Sequence, residues 1–354
     1  MKLATIEKII NIVPIEGADR IVLAQILGWN CIIKKDEYQV GDLCIFIPID
    51  VEVDTEYEYF KFLSKKKKWE KINTIKLRGI YSQGLIVPLS LLQKEDLFNS
   101  TLSEGLDVSN YLPLRKYEKQ LNSSNGKNKF KSSIDINMSY KLENAKEFPT
   151  HLISKTDEYN MKNCPKAVRE FCELDCYISL KIDGSSMTLI YNNGEFKVCQ
   201  RNLELICQEH GMWILAKKLD LENKLKNLNI NIAIQSEYVG PKVNGNMLDL
   251  KEFDIFVFNI KYLDSDKYLG YDDMLEICNK LELKSVPLIE KIKFDESWSI
   301  DRLQNIANKL TYNVCSERKG TIAEGLVIRP ILPIYSPELQ KMLSLKLINQ
   351  NYKD

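Results

Sequence analysis

Short apolar runs broken by turn residues dominate the first hundred positions: "IVLAQILGW" (21–29), "NCIIKK" (30–35), "LCIFIPIDVEV" (43–53) and "GLIVPLSLL" (84–92). Gly28, Gly41-Asp42 and Gly79 separate them. Several short strands at such close spacing predict a small β-barrel over residues 1–110. From 111 to 147 the pattern stops. "RKYEKQLNSSNGKNKFKSSIDINMSYKLENAKE" (115–147) is rich in Asn, Ser and Lys and lacks apolar periodicity. It predicts a linker or mobile segment. From Phe148 to Asp354 strands and helices mix. "CYISLKIDGSSMTLIY" (176–191) reads as two strands, and "NGEFKVCQRN" (193–202) follows through an Asn193-Gly194 hairpin signal. "ILAKKLDLENKLKNLN" (214–229) has helical spacing, as do 271–283 and 300–312; "NIAIQSEYVG" (231–240), "FDIFVFNIKY" (253–262), "GTIAEGLVIRP" (320–330) and "LSLKLIN" (343–349) read as strands. The alternation predicts an α+β domain of antiparallel sheets.

Composition narrows the partners. Lys+Arg and Asp+Glu both number 49 in the 354 residues, so the formal net charge is zero. Nucleic-acid binding would then come from local basic faces. No run of about 18 apolar residues predicts a membrane span, and "MKLATIEKIINIVPIEG" has acidic residues and a proline where a signal peptide needs an unbroken apolar stretch. Nine cysteines are scattered, with only His151 and His210 beside them. Cys172 and Cys176 lack a second pair to complete a zinc site. Reduced thiols in a cytoplasmic protein are expected, where the sequon at Asn99 carries no meaning.

The charges inside strands raise the functional question. Lys181 and Asp183 stand beside the Gly184-Ser185 turn, Glu237 in "SEYVG", Glu324 and Arg329 in "AEGLVIRP", Lys346 in "LSLKLIN". Partial burial would lower the pKa of Lys181 and supply a neutral amine nucleophile; a strand-end pair with Asp183 or an outward lysine is the plainer alternative. Carboxylates are hard ligands for Mg2+ or Mn2+, and the cations suit phosphate. Together they point to attack on a nucleotide α-phosphate.

K-I-D-G at 181–184 resembles the first motif of the covalent nucleotidyltransferases, the ATP-dependent ligases and RNA capping enzymes. Gln200-Arg201-Asn202, "SEYVG" (236–240), "FDIFVFNI" (253–260), "EGLVIRP" (324–330) and "LSLKLIN" resemble later motifs in the family order. The barrel-like region precedes them, and Lys346 lies eight residues from the end (354 − 346 = 8). With "ADRI" (18–21), "VGDLCIFIPID" (40–50), "RGIYSQGLIVP" (78–88), "FPTHLISKTDE" (148–158) and "SEYVGPKVNGN" (236–246), the chain resembles RNA ligase family 5.

That resemblance implies an OB-fold domain (1–110) and an ATP-grasp-like nucleotidyltransferase domain (148–354) of antiparallel sheets with flanking helices. It implies ATP as cofactor, Mg2+ or Mn2+, and an RNA partner, a nicked duplex with 3′-OH and 5′-phosphate ends. Lys181 would become Lys-AMP. Asp183, Glu237 and Glu324 would hold the metal through bound waters. Gly184 and Leu180 would border the nucleotide; Arg201 would approach the ribose or 5′-phosphate; Arg329 and Lys346 would contact the α-phosphate. Phe258 would stack on adenine, with Phe256 as the alternative, since alternation puts both on one face.

Departures are visible. Some relatives carry glutamate where Leu180 stands, so adenine selection falls to other groups. The fifth motif's first lysine is Ser344 here, with Lys341 nearby in sequence. "SKKKKWE" (64–70) suits either a solvated loop or RNA phosphates beside a stacking Trp69; Arg78 suits barrel packing or RNA, and Lys155 a phosphate or solvent. A capping-type guanylyltransferase and a non-catalytic RNA-binding OB protein are the competing readings. No oligomer signature is present, and a monomer is expected.

Overall fold

The computed structural model describes residues 2–64, 67–92, 102–117, 145–156, 158–316 and 318–352. The chain divides into two compact units, Met1–Gly126 and Lys127–Asp354.

The first unit is an OB-type, near-closed barrel. Its five-stranded sheet runs in the order Trp29–Lys34, Ile21–Ile26, Thr5–Pro14, Leu43–Ile47, Leu85–Val87. The long Thr5–Pro14 strand serves two neighbours because it is bulged between Ile9 and Asn11: its first half pairs with Leu43–Phe46 and its second with Val22–Ile26. Alternation drives the packing. Ile6, Ile45 and Ile47 face one core with Val51, Val53 and Phe60, while Ile9, Ala24, Trp29 and Phe46 form another. A second sheet joins Leu114–Lys116, Val51–Asp54 and Trp69–Lys71. Leu114–Lys116 lies inside the segment read as a linker from sequence; so does Ala145–Glu147, which pairs with Leu203–Leu205 in the second unit. The rest of that segment, 118–144, lies outside the described residues.

The second unit packs two mainly antiparallel sheets, each with one parallel pair at its margin. The larger centres on Ser185–Asn192, Ile232–Val239 and Asp254–Tyr262. The smaller runs Tyr159–Asn160, Leu345–Ile348, Gly325–Pro330, Asp175–Lys181, Leu288–Lys293. Asn193 and Gly194 both take positive φ, 51° and 82°, as the hairpin turn demands. Helices Gly211–Lys218, Leu221–Leu228 and Tyr271–Leu281 cover the outer face of the large sheet through Met187, Leu189, Ile234 and Val257. The single helix expected over 214–229 is two, broken where Asp220 turns left-handed at φ 53°. Ile300–Ala307 packs on the small sheet through Leu303 against Ile178 and Ile328. It ends five residues short of the expected 312 (312 − 307 = 5), because the chain pairs Thr311 with Ile322. Among the described residues no helix is long and apolar enough to cross a membrane.

Candidate active site

Alternation along Asp175–Lys181 sends Cys176 and Ile178 into the core under the Ile300–Ala307 helix and Tyr177 into the opposite core. Lys181 falls at the last rung of the ladder with the neighbouring strand, opposite Gly325. Its Nζ donates to Glu324 Oε2 at 2.7 Å, and both side chains are largely buried. The next strand begins at Ser185, and Ser186 pairs with Glu237. Gly184 sits so close to that partner strand that a Cβ would lie 2.5 Å from the Tyr238 carbonyl and 2.9 Å from Glu237 Cγ. Only glycine lets the turn reach the strand that carries Glu237. Asp183 Oδ1 accepts from Asn244 Nδ2 at 2.9 Å and Oδ2 from the Tyr352 hydroxyl at 2.5 Å.

These groups set one another's charge. Burial opposes the charged form of Lys181, but Glu324, Glu237 and Glu158 outweigh it and hold the amine above its ordinary value. The neutral amine expected from sequence is therefore corrected: burial here comes with carboxylates, and they keep the resting lysine protonated. Glu237 is pushed up to about 8 by burial, with Glu324, Asp183 and Glu158 adding to the rise against the pull of Lys181. Burial also raises Glu324, against Lys181 and Lys346, with Asp183 adding to the rise.

Next to this acidic cluster lies a small open cleft of about 70 Å³, bordered by Glu158, Arg329, Phe258, Tyr268 and Lys341. Lys181, Glu237 and Glu324 are not on its wall; Glu158 joins the two regions, since it borders the cleft and acts electrostatically on Lys181. Arg329 is already committed. It donates to Glu158 at 2.6 Å, Ser344 at 2.8 Å and the Phe258 carbonyl at 3.1 Å. In the resting protein it braces the cleft. Burial works against the Glu158 charge, yet Arg329, Lys181 and Lys341 hold its carboxyl below the usual range.

Phe256 and Phe258 both pack on the core of Leu180, Ile182 and Tyr312 and differ in depth. The pairing with Ile232–Val239 shifts between Gln235–Asn259 and Ser236–Val257, leaving Phe258 as the extra residue of a bulge. Phe256 is buried in that core, while Phe258 is partly buried at its edge and borders the cleft. Leu180 likewise belongs to that core. Lys346 pairs in register with Val327 and acts on Glu324. Ser344, where a lysine was expected, is the acceptor for Arg329. Lys341 stands 5.2 Å over the Tyr159 ring. Arg201 lies exposed in the turn after Glu195–Gln200. Lys155 donates to Asn202 at 3.2 Å.

In the barrel, Lys65 and Lys66 lie outside the described residues. Lys68 bridges Asp54 and Glu56, and Arg115 stacks 4.4 Å over Trp69. Arg78 heads a tight turn with φ 49° and reaches toward Gly17.

Glu158, Asn244, Tyr312 and Tyr352 were not singled out from sequence. Glu158 had a signal, the carboxylate ending "SKTDE"; the two tyrosines had none. No group of three His, Cys, Asp or Glu among the described residues stands close enough to ligate an ion directly. The oxygen donors nevertheless suit a hydrated divalent cation held at one remove: without one, Glu237 holds a proton at neutral pH.

Residues 175–346 match the family model described as RNA ligase, and residues 3–89 match one described as an OB-fold domain. The chain thus carries a segment similar to RNA ligases, 172 of its 354 residues (346 − 175 + 1 = 172). Its fold agrees with the Naegleria gruberi RNA ligase over nearly the full length of both. A mutant of that protein solved with AMP and Mn superposes with TM-score 0.81 at 26% identity, covering 99% of this chain and 97% of that one. A second, solved with ATP and Mn, gives 0.79 at 27%, with the same coverage. Curated DNA ligases of Thermoanaerobacter sp. and Thermoanaerobacter pseudethanolicus are 23% identical over 214 residues, 49% of this chain. The chain spans about a third of their length, 32%.

Proposed function

We propose that the chain is an ATP-dependent RNA ligase that seals 3′-OH/5′-phosphate breaks, nicks in duplexes among them, through a lysyl-AMP intermediate. The observation that carries this is the Lys181–Glu324 contact set among Glu237, Asp183 and Glu158. Lys181 must lose a proton before it can attack. Glu324, already hydrogen-bonded to Nζ, is placed to accept it. The Nζ lone pair then forms a bond to the α-phosphorus of ATP, and the bond to pyrophosphate breaks. The RNA 5′-phosphate oxygen next attacks the same phosphorus, and Lys181 leaves as the amine and regains its proton. Finally the 3′-hydroxyl attacks the activated 5′-phosphate, a phosphodiester forms and AMP departs.

Asp183, Glu237 and Glu324 would hold a divalent cation through its water shell. When bound it neutralises charge on the transferring phosphate. Lys346, beside Glu324, is the cation we assign to the α-phosphate. Phe258, at the register shift and bordering the cleft, is assigned to the adenine face. Arg329 reaches the phosphate only if it releases Glu158 or Ser344. A cytoplasmic monomer is part of the same reading.

The family likeness and the ATP, AMP and Mn found with the Naegleria protein support this function. The test is incubation with α-labelled ATP or GTP and Mn2+, followed by addition of nicked duplexes with RNA or DNA at each side of the break. Label from ATP and sealing of a nick with an RNA 3′-OH is the expected result. Label from GTP alone moves the reading to a capping-type enzyme, and no label to a binding protein.

A further inference from the structure

We infer that Tyr312 is a positioning residue for lysine adenylylation, holding the Lys181–Asp183 turn and Glu324 in one fixed relation. This rests on the reading of Lys181 as nucleophile. The ladder between Asp175–Lys181 and Gly325–Pro330 ends at the Lys181–Gly325 rung. Beyond that rung no further pair joins the two strands. There the Tyr312 hydroxyl links the backbone of both segments. It donates to the Lys181 carbonyl at 2.9 Å and accepts from the Asp183 N–H at 3.1 Å and the Glu324 N–H at 3.0 Å.

A phenol has one proton and two acceptor sites, so the three contacts saturate it. All three partners lie at the site: one is the lysine itself, one the carboxylate two residues on, one the carboxylate paired with the lysine. The ring is fully buried, among Leu180, Ile182, Val239 and Phe256. Phenylalanine would fill the same space without burying a hydroxyl, which is costly unless paired. Packing alone therefore does not account for the oxygen. Tyr312 is itself fixed, its N–H bonded to the Thr321 carbonyl at 2.9 Å. The side chain thus sets where the last turn of the lysine strand stands relative to the first residue of the Glu324 strand. Attack geometry depends on that relation, since misplacement of reacting groups by about 1 Å costs on the order of 10²-fold in rate.

Tyr312→Phe removes one oxygen and keeps the ring. Two steps are compared in wild type and variant: single-turnover labelling of Lys181 from α-labelled ATP, and sealing of pre-adenylated nicked RNA, which uses the same pocket without attack by Lys181. The expected result is labelling slower by about 10²-fold, with KM for ATP and the sealing rate each changed by less than about 3-fold. Equal loss in both steps, or labelling at the wild-type rate, overturns the assignment while the ligase reading stands. No label on Lys181 in the wild type overturns both. Amide exchange on the wild-type protein gives a check that does not need the variant to fold: Asp183 and Glu324 amides exchange with the slow core if the phenol holds them, and fast exchange of either overturns the assignment.

Discussion

Lys181 Nζ and Glu324 Oε2 stand 2.7 Å apart although 143 positions separate them in the chain. On the proposed reading, the contact joins the nucleophile, protonated at rest, to the group that deprotonates it. Glu324→Gln keeps the shape and removes the base. Single-turnover labelling from ATP should slow by about 10²–10⁴-fold, the usual worth of a general base, with a smaller change in KM. A rate within threefold of wild type, roughly 0.7 kcal/mol, would remove Glu324 from the proton transfer.

Glu237 makes stability depend on pH. Its carboxyl is pushed up to about 8 in the folded state, against an unfolded value near ~4.3. Between these values the native state binds a proton that the unfolded chain does not, so its contribution is full below the lower value and is lost as pH rises through the upper. Glu324, also raised, acts in the same sense. Glu158, lowered, is ionised in both states above pH ~5.5 and adds no slope there. In metal-free buffer the melting temperature should fall from pH 5.5 to 8.5, and Glu237→Gln should flatten that fall. Parallel curves for wild type and variant in calorimetry would contradict the assignment.

Arg329 and Glu158 form a largely buried pair, with side-chain exposures of 13% and 20%. Removing one partner leaves the other charge uncompensated, at about 3–5 kcal/mol for a fully buried pair; here the lower end is expected. Arg329→Met should therefore destabilise more than Arg329→Met combined with Glu158→Gln, as read by urea denaturation. Strict additivity of the two substitutions would count against the bracing role.

Tyr352 occupies one Asp183 oxygen and Asn244 the other. If Asp183 takes a metal-bound water, Tyr352→Phe leaves that oxygen open to it. The Mn2+ concentration giving half-maximal lysine labelling should then fall. A rise would mean that Tyr352 instead holds Asp183 in its working orientation.

Much of the fold was legible because it rests on local signals: short apolar runs for the barrel, Asn193-Gly194 for the hairpin, KIDG for the lysine turn. What was not legible depends on tertiary register. Alternation could not choose between Phe256 and Phe258; the burial of the first and the cleft beside the second, where pairing with a distant strand shifts register, distinguish them. Helical spacing over 300–312 hid Tyr312, which leaves the helix because Thr311 pairs with Ile322. The pKa of Lys181 was misjudged for the same reason. Burial is readable from its apolar neighbours, but the three glutamates that reverse its effect arrive from residues 158, 237 and 324.

Mass spectrometry of the protein after incubation with ATP and Mn2+, without RNA, decides whether Lys181 is the side chain that takes up the nucleotide. Peptides should carry one AMP on Lys181, absent from Lys181→Ala and released as AMP when a 5′-phosphorylated nick is added. An adduct on another side chain, or none on a folded protein that binds ATP, would contradict the account.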